Sequence, residues 1–462
     1  MGNNLAYIAL LAWPIFIIFF FNKFEIRKAL LFSIFGSYLF LPASFQINLP
    51  GIPAFDKTTV TTITLFLILF FKGKGIGFKQ LDHKTKIMLM LLLASPFITA
   101  MLNSSRYLHL PGVTLYDGLS QSVSMFLVFI PFLLGVRYFN DLESQKLLFK
   151  YTVLACLIYV PLMLFEVRMS PQLHSMVYGF FPHSFVQQIR SGGFRPVVFL
   201  GHGLLVALFV AVSMVAMLAF MKSKISLLKI SNISIFFILF ITLILSKTYG
   251  ALLLFSFAAV LIYLFKLRFI GYFSILIMLV YLSYPIMSAN NLFPHDKLVA
   301  TVEAISSDRA QSLNFRFYHE RQLLEHANNK PLFGWSSWGR NRVYNPETFE
   351  DLSVTDGRWI ITLGTRGWFG FLTEFYFIFI TIWLTFKLSK KERYLTKQES
   401  MFMSGHLLIV LMILIDQIPN ASLSYYYWLF IGSLFGCSKN KIENLNVSKV
   451  KAKVNRVSSY EK

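Results

Sequence analysis

The chain has 462 residues, of which 56% are hydrophobic and only 14% are charged, and its mean hydropathy is +0.60. A soluble domain is about 45–50% apolar and about 25% charged, so this composition excludes an ordinary soluble globular enzyme. Lys and Arg total 43 against 22 Asp and Glu, giving a net charge of +21. Because the basic residues stand in short clusters between long apolar runs, we interpret the excess as a membrane-topology signal, with no nucleic-acid partner.

The apolar runs predict an all-α, polytopic membrane protein. A bilayer core of about 30 Å takes about 20 apolar residues as a helix. On this measure residues 1–437 form a single transmembrane domain of about thirteen helices, followed by a basic tail over 438–462. The predicted spans are 4–22, 29–45, 57–72, 87–102, 118–137, 150–167, 196–221, 230–247, 249–266, 269–288, 361–386, 401–418 and 421–437.

The distribution of basic residues predicts the orientation of these spans. When the loops are assigned alternately to two sides, one side carries 28 of the 43 Lys and Arg residues and the other carries 15. Nine of those 15 lie in one long loop, and long loops translocate largely regardless of charge. The positive-inside rule therefore predicts an outward N-terminus and a cytoplasmic C-terminus. The tail is interpreted either as an amphipathic helix on the inner leaflet or as a disordered segment.

Two outward segments, 168–195 and 289–360, are too long to be ordinary connectors. The second is predicted to contain a helix that begins at 306–308 and ends at 328–331, with Leu313, Phe317 and Leu324 as its apolar stripe. We expect this loop to lie over an outward cavity.

The outward side is poor in positive charge except in these two loops. Arg190 and Arg195 flank a Ser-Gly-Gly turn in the first loop. The second loop and the start of the next span carry Arg309, Arg316, Arg340, Arg342, Arg358 and Arg366. Arginine matches phosphate oxygens with a rigid donor fork, so this pattern favours a site for a lipid-linked phosphate or pyrophosphate. The alternative is that these arginines pair with lipid headgroups or with acidic residues of the same loops.

Several titratable residues near the spans are candidates for chemistry. His202 is interpreted as a general base or as a packing histidine, and Lys247 as a phosphate contact or as a lysine that reaches the membrane interface. His319, Glu320 and Asp356 are candidates to position or deprotonate a hydroxyl, although Asp356 is equally well placed to cap the next helix. Neither a phosphate-binding P-loop nor an Asp-x-Asp pair is present, so we predict no ATP hydrolysis, no metal and no cofactor.

Four short motifs carry a resemblance to the O-antigen ligase and polymerase superfamily. Residues 330–335, KPLFGW, resemble its Pro-Leu-x-Gly-x-Gly segment, with Arg316 upstream as in the family. Residues 356–370, DGRWIITLGTRGWFG, stand where the family often has H-N-x-Y-L-x-x-L-x-E-x-G-x-x-G. Arg190 with Gly201 is similar to the arginine loop of Wzy-type polymerases. Residues 245–251, LSKTYGA, resemble the Ser-Arg-Gly-Ala turn, with Lys247 in place of Arg.

The resemblance implies a GT-C-like glycosyltransferase of the bacterial cytoplasmic (inner) membrane that needs no metal. Its substrates are undecaprenyl-pyrophosphate-linked oligosaccharides, its surroundings are membrane lipids, and a chain-length regulator is an expected partner. Pyrophosphate would be bound by arginines and Lys247, with Arg190, Arg195 and Arg316 foremost. Because the family's ligases rely on a loop His where this chain has Asp356, polymerisation of O-antigen, capsule or exopolysaccharide repeats is favoured over ligation to lipid A core.

A function of another class, transport of lipid-linked oligosaccharide, stays open. Transporters usually show internal repeats and broken helices with buried charges, and we expect neither in this chain.

Overall fold

The computed structural model describes residues 2–48, 53–190 and 192–460, with side chains given for all of these except Asp308 and those beyond Val447. Its strands β1 (Ile189–Arg190) and β2 (Gly193–Phe194) form one small antiparallel hairpin. The helices are α1 (Asn4–Lys23), α2 (Ile26–Phe40), α3 (Lys57–Phe71), α4 (His83–Met101), α5 (Leu115–Tyr138), α6 (Leu142–Met169), α7 (Leu173–Tyr178), α8 (Gly203–Lys222), α9 (Asn232–Leu245), α10 (Tyr249–Leu264), α11 (Leu267–Ala289), α12 (His295–Glu303), α13 (Ser307–Asn328), α14 (Arg358–Ser389), α15 (Lys397–Asp416) and α16 (Tyr425–Tyr460).

The prediction of a helical membrane protein is confirmed. Each of the thirteen predicted spans overlaps a helix, and eight helices of the described chain are long and apolar enough to cross a bilayer: α1, α4, α5, α6, α8, α11, α14 and α15. The helices α3, α9 and α10 are apolar but shorter, and α9 has only 14 residues, about 21 Å at 1.5 Å per residue. The count of thirteen spans therefore stays a prediction.

Close helix packing defines the core of the bundle. Along α8, from Val206 to Ala219, nearly every side chain is buried, whereas α1 buries only one narrow stripe. The helices α5 and α16 approach so closely that a methyl group on Gly432 would lie 2.0 Å from the Phe132 carbonyl oxygen. A methyl group on Gly135 would lie 2.6 Å from the carbonyl oxygen of Leu429. Small residues at this interface allow the backbones to meet, as is common between membrane helices.

The seventh predicted span begins later than expected. The sequence predicts helix from residue 196, but α8 begins at Gly203, and residues 196–202 form a turn. Val198 (φ 48°) and Gly201 (φ 91°) adopt left-handed conformations that an α-helix does not accommodate. His202 then caps α8 by accepting a hydrogen bond from the Leu204 N–H. His202 is thus outside the helix, not early in the span as predicted.

The predicted helix of the long loop is confirmed as α13, which ends at Asn328 ahead of the 328–331 stop signal. The last helix differs from expectation, since α16 continues without a break from the predicted span into the tail, as far as Tyr460. The tail valines from Val450 onward lie outside the described side chains.

The connectors 102–114, 170–202 and 290–357 meet at one end of the bundle, which we call the loop end. Arg340 is buried there and donates to the carbonyl oxygens of Ser105 (3.1 Å) and Pro111 (2.9 Å). Arg342 pairs with Asp351. Arg340 therefore ties two connectors together and Arg342 forms an ion pair within its own connector, which corrects the expectation that they share an anion site.

The helix α14 is broken at Gly367, whose φ of 61° interrupts the helical ladder. Segment 331–336, which overlaps the KPLFGW stretch, supplies the missing partners. The N–H groups of Trp335 and Ser336 donate to the carbonyls of residues 364 and 365, and the N–H groups of residues 368 and 369 donate to the carbonyls of Pro331 and Leu332. This pairing gives hydrogen-bond partners to both half-helix termini. It also corrects the expectation that no helix is broken.

Replacing Gly367 with Ala is expected to destabilise the protein by about 2–5 kcal/mol, because it adds left-handed strain and overpacking. The new methyl group would lie 2.4 Å from the Leu332 carbonyl. Gly73→Ala is the matched control, since Gly73 has nearly the same φ (62°) but nothing within 4 Å of an added methyl group. Thermal unfolding in detergent should rank the variants in that order, and equal losses would contradict this role for Gly367.

Candidate anion-binding site

A buried carboxylate organises the turn that precedes α8. Glu166, on α6, accepts hydrogen bonds from the backbone N–H groups of Val197 and Val198, each at 2.7 Å, and of Leu173 at 2.9 Å. Because the left-handed turn at Val198 keeps the Val197 and Val198 N–H groups out of a helical hydrogen-bond ladder, this carboxylate supplies the acceptor that they lack. The hydrogen bonds to Glu166 therefore fix the direction of the turn and hence the position of Arg195.

Arg195 extends from this turn into a buried position, with 5% of its surface exposed. Its stem lies against Gly203, where any side chain would collide with it, and its Nη2 lies 3.5 Å from the Lys247 carbonyl oxygen. Its Nε has no hydrogen-bond partner among the described residues. Burial, and then the positive charges of Arg190, Arg309 and Arg316, lower the pKa of Arg195 to about 10. Arg195 thus lies within Coulombic range of three other arginines, and we call these four residues the arginine cluster.

Lys247 joins the cluster from the turn between α9 and α10. This residue adopts φ 50° and sends its Nζ to the carbonyl oxygen of Arg190, 3.2 Å away. The Nζ lies so close to Gly193 that a methyl group there would sit 2.3 Å from it. Lys247 therefore contacts the β1–β2 hairpin directly, and the interpretation that it reaches only for the membrane interface is wrong.

The other two arginines of the cluster come from α13. The guanidinium of Arg309 lies over the ring of Tyr249, 4.6 Å from its centroid. Arg316 Nε lies 3.3 Å from Asp356 Oδ2, and both side chains are about one-third exposed. Arg316 is also within Coulombic range of Asp416 at the end of α15.

The charge balance of this site leaves an excess of cations. Four arginines face two carboxylates, Asp356 and Asp416, among the described residues. Like charges held together at a partly buried site are costly, so a bound anion would stabilise the arrangement. The loop end therefore contains a candidate anion-binding site built from three separate segments of the chain.

His202 lies beside the cluster but is held as a neutral ring. Its Nδ1 accepts from the Leu204 N–H at 3.0 Å, and its Nε2 lies 3.4 Å from Gln187 Oε1, so the proton is on Nε2. Burial, then the neighbouring His183 and the charges of Arg195 and Arg316, lower its pKa to about 3. The general-base interpretation is disfavoured, because so weak a base is a poor proton acceptor at neutral pH.

The pKa of His202 gives a pH-dependent stability. The unfolded chain takes up a proton near the ordinary pKa of 6.5, whereas the folded chain does so only near 3, so folding stability is lost as the pH falls below 6.5. Asn at this position keeps the N-cap acceptor and removes the titration. We expect wild type to lose more melting temperature between pH 7 and pH 4.5 than His202→Asn does. Parallel melting curves for the two proteins would contradict the assignment.

An apolar cavity of about 320 Å³ lies beside the Arg316–Asp356 pair. It is enclosed by α11, α13, α14 and α15 and lined mainly by aliphatic and aromatic side chains. Glu320 also lines it, but its carboxylate accepts from the hydroxyls of Tyr284 (2.8 Å) and Ser288 (2.9 Å). The polar head of the cavity is thus formed by the Arg316–Asp356 ion pair.

His319 is buried on α13 between the rings of Phe315 and Tyr318. Neither His319 nor Glu320 forms a hydrogen bond or ion pair with the arginine cluster among the described residues. Of the three hydroxyl-positioning candidates, only Asp356 contacts the cluster.

The two remaining predicted anion ligands lie at a different place. Arg358 Nη2 and Nε both lie 2.8 Å from Glu374 Oε1, and Arg366 pairs with Glu374 Oε2. We call these three residues the ion triad. The triad neutralises one of its two arginines internally and lies on the broken helix α14, away from the hairpin that carries Arg190 and Arg195.

A comparison with known protein-family models finds no match to this chain, and a comparison with curated protein sequences finds no similar protein.

Five of the seven predicted anion ligands lie together, but the predicted site did not include Glu166, which holds the turn before α8, or Glu374, which holds Arg358 and Arg366. Both are acidic residues inside apolar helices; Glu166 precedes the stretch that carries Arg190 and Arg195, and Glu374 follows Arg358 and Arg366. That adjacency is the signal that identifies them, because a carboxylate in a membrane helix needs a partner.

Proposed function

We propose that this protein is a membrane glycosyltransferase that polymerises oligosaccharide repeats carried on undecaprenyl pyrophosphate. The observation that carries the proposal is the arginine cluster, in which the buried Arg195 lies within Coulombic range of three other arginines and its Nε has no hydrogen-bond partner among the described residues. Arginine forks match the oxygens of a pyrophosphate, and the excess of cations matches its charge. The apolar cavity beside Arg316 supports a substrate that carries a lipid chain.

The reaction forms one glycosidic bond and breaks one glycosyl–phosphate bond. The hydroxyl oxygen of the acceptor attacks the anomeric carbon of the donor glycan, and the electron pair of the broken bond leaves with the carrier pyrophosphate. The arginine cluster stabilises that developing negative charge. The carboxylate of Asp356, held by Arg316, takes the hydroxyl proton. Arg190, Arg195 and Arg316 bind the leaving group, and Lys247 and Arg309 complete the charge.

Glycan analysis of a deletion strain distinguishes polymerisation from ligation. Loss of a polymerase leaves carriers that bear single repeat units, whereas loss of a ligase leaves long chains on the carrier. We expect mass spectrometry of carrier-linked glycans to detect single units on the outer face of the inner membrane. Long carrier-linked chains would contradict the polymerase proposal and support transfer to lipid A core or another acceptor.

One observation favours a transporter as the second candidate. The broken helix α14 carries buried charges at Arg366 and Glu374, a feature that transporters use to bind substrate. Here, however, the half-helix termini bond to segment 331–336, which leaves the break closed by protein. Liposomes containing the purified protein and labelled carrier-linked sugar test this candidate, since movement of the label without chain growth would support transport.

A further inference from the structure

A second cavity at the loop end does not belong to the anion-binding site. It measures about 300 Å³, lies between α4, α5, α14 and α16, and shares no lining residue with the apolar cavity. The first turn of α14 separates the two, because Asp356 faces the arginine cluster while Arg358 lines the second cavity. The ion triad forms its charged wall. This cavity is large enough for a small-molecule group of about one sugar ring.

The ion triad has a net positive charge of one, and one edge of the Arg366 guanidinium forms only weak hydrogen bonds with the described residues. Arg366 is 5% exposed, and its Nη2 pairs with Glu374. Among the described residues, its Nη1 contacts Ser95 Oγ at 3.5 Å and Met125 Sδ at 3.4 Å. The serine contact is long and thioether sulfur is a weak acceptor, so this buried cationic N–H group has no strong acceptor among the described residues. A ligand carboxylate in the cavity would supply the charge-assisted hydrogen bonds that these contacts lack.

The uncharged polar side chains that line the cavity are placed on two helices, an arrangement that suits the separate hydroxyl groups of a sugar ring. Gln121 and Ser124 line it from α5, and Thr362 and Thr365 line it from α14. Trp428 contributes an aromatic wall from α16. Separate amide and hydroxyl groups beside an aromatic surface distinguish this cavity from the aliphatic cavity at Arg316, which is suited to a hydrocarbon chain.

We propose that this second cavity binds a carboxylate-bearing sugar ring of the uronic acid type within the glycan substrate. The carboxylate lies against Arg366 and Arg358. The ring hydroxyls donate to the amide oxygen of Gln121 and to the hydroxyl oxygens of Ser124 and the two threonines, whose own protons are donated within the protein. The choice of a sugar rests on the proposed function, whereas the choice of an acidic one rests on the charge of the triad. The repeat unit of this polymerase therefore contains an acidic sugar, and the arginine cluster and the ion triad bind different parts of one substrate.

Binding of two matched monosaccharides tests this proposal without any polymerase activity. Methyl glucuronide and methyl glucoside differ only in the carboxylate, and saturation-transfer NMR measures weak binding of each to the full-length protein in nanodiscs. We expect saturable binding of the glucuronide, at least tenfold tighter than that of the glucoside. Ser124→Leu, which fills the cavity, should abolish it, and Val123→Leu, an exposed neighbour on α5, should leave it unchanged.

The outcomes separate this site from the anion-binding site. Arg316→Ala should keep glucuronide binding and weaken binding of inorganic pyrophosphate, because Arg316 does not line the second cavity. Equal binding of glucuronide and glucoside, no saturable binding, or full binding by Ser124→Leu would each overturn the proposal. If the wild-type protein binds the glucuronide but does not bind inorganic pyrophosphate, the result would instead count against the proposed function.

Discussion

Arg195→Ala is expected to reduce the rate of glycan elongation about 10²–10³-fold, the effect of removing one donor that stabilises a developing oxyanion. Arg195 is the most buried member of the arginine cluster, and the other three members lie within Coulombic range of it. The variant should remain folded, because removing this charge relieves repulsion within the site. Arg195→Lys should fall between wild type and Ala, since it keeps the charge and loses the fork. The measurement is the length distribution of carrier-linked glycan in strains with equal protein levels.

The control for this prediction is Arg106→Ala. Arg106 is an exposed arginine on connector 102–114 at the same end of the molecule, and it is not part of the cluster. Its removal should leave chain length unchanged. Normal long chains in the Arg195→Ala strain, or equal defects in both strains, would count against a specific role for the cluster.

Glu374→Ala is expected to have the largest effect on stability, about 3–5 kcal/mol. The carboxylate of Glu374 is shared by Arg358 and Arg366, and its removal leaves a buried guanidinium uncompensated in the helix bundle. Chemical unfolding in mixed micelles measures the loss. Glu143→Ala is the matched control, because Glu143 is 76% exposed and its pair with Lys146 is worth less than about 1 kcal/mol.

A double variant shows whether charge is the cause. Arg366→Met combined with Glu374→Leu removes the buried pair together, and such replacements are often neutral or stabilising. We expect the double variant to recover most of the stability lost in Glu374→Ala. A loss in Glu374→Ala no larger than that in Glu143→Ala would contradict the buried ion triad.

Hydropathy and charge were sufficient to predict which segments are helical, because a span must satisfy its own backbone and must be apolar. The exceptions have local causes. Hydropathy cannot place the start of α8, since Pro196 to Leu200 are as apolar as a span but are held in a turn by Glu166. Hydropathy likewise does not detect the break at Gly367, where a single left-handed residue interrupts α14 within an apolar segment.

Part of the candidate site could be predicted because the predicted outward loops carry few basic residues apart from the candidate arginines. The four arginines of the cluster lie close together in the structure, although they come from two segments that are far apart in the sequence. Arg340 and Arg366 looked the same in sequence, yet one ties loops together and the other pairs with Glu374. The difference depends on partners that are distant in sequence, which a reading of single residues does not provide.

In the proposed function, the arginine cluster stabilises the carrier pyrophosphate as it leaves when each glycosidic bond forms. Carrier-linked glycans extracted from a deletion strain are the natural substrate for the purified protein, and mass spectrometry follows glycan and carrier together. We expect longer chains, one equivalent of free undecaprenyl pyrophosphate per bond formed, and loss of both products in Arg195→Ala. Unchanged substrate with the wild-type protein, or elongation that Arg195→Ala carries out equally well, would contradict the proposed function.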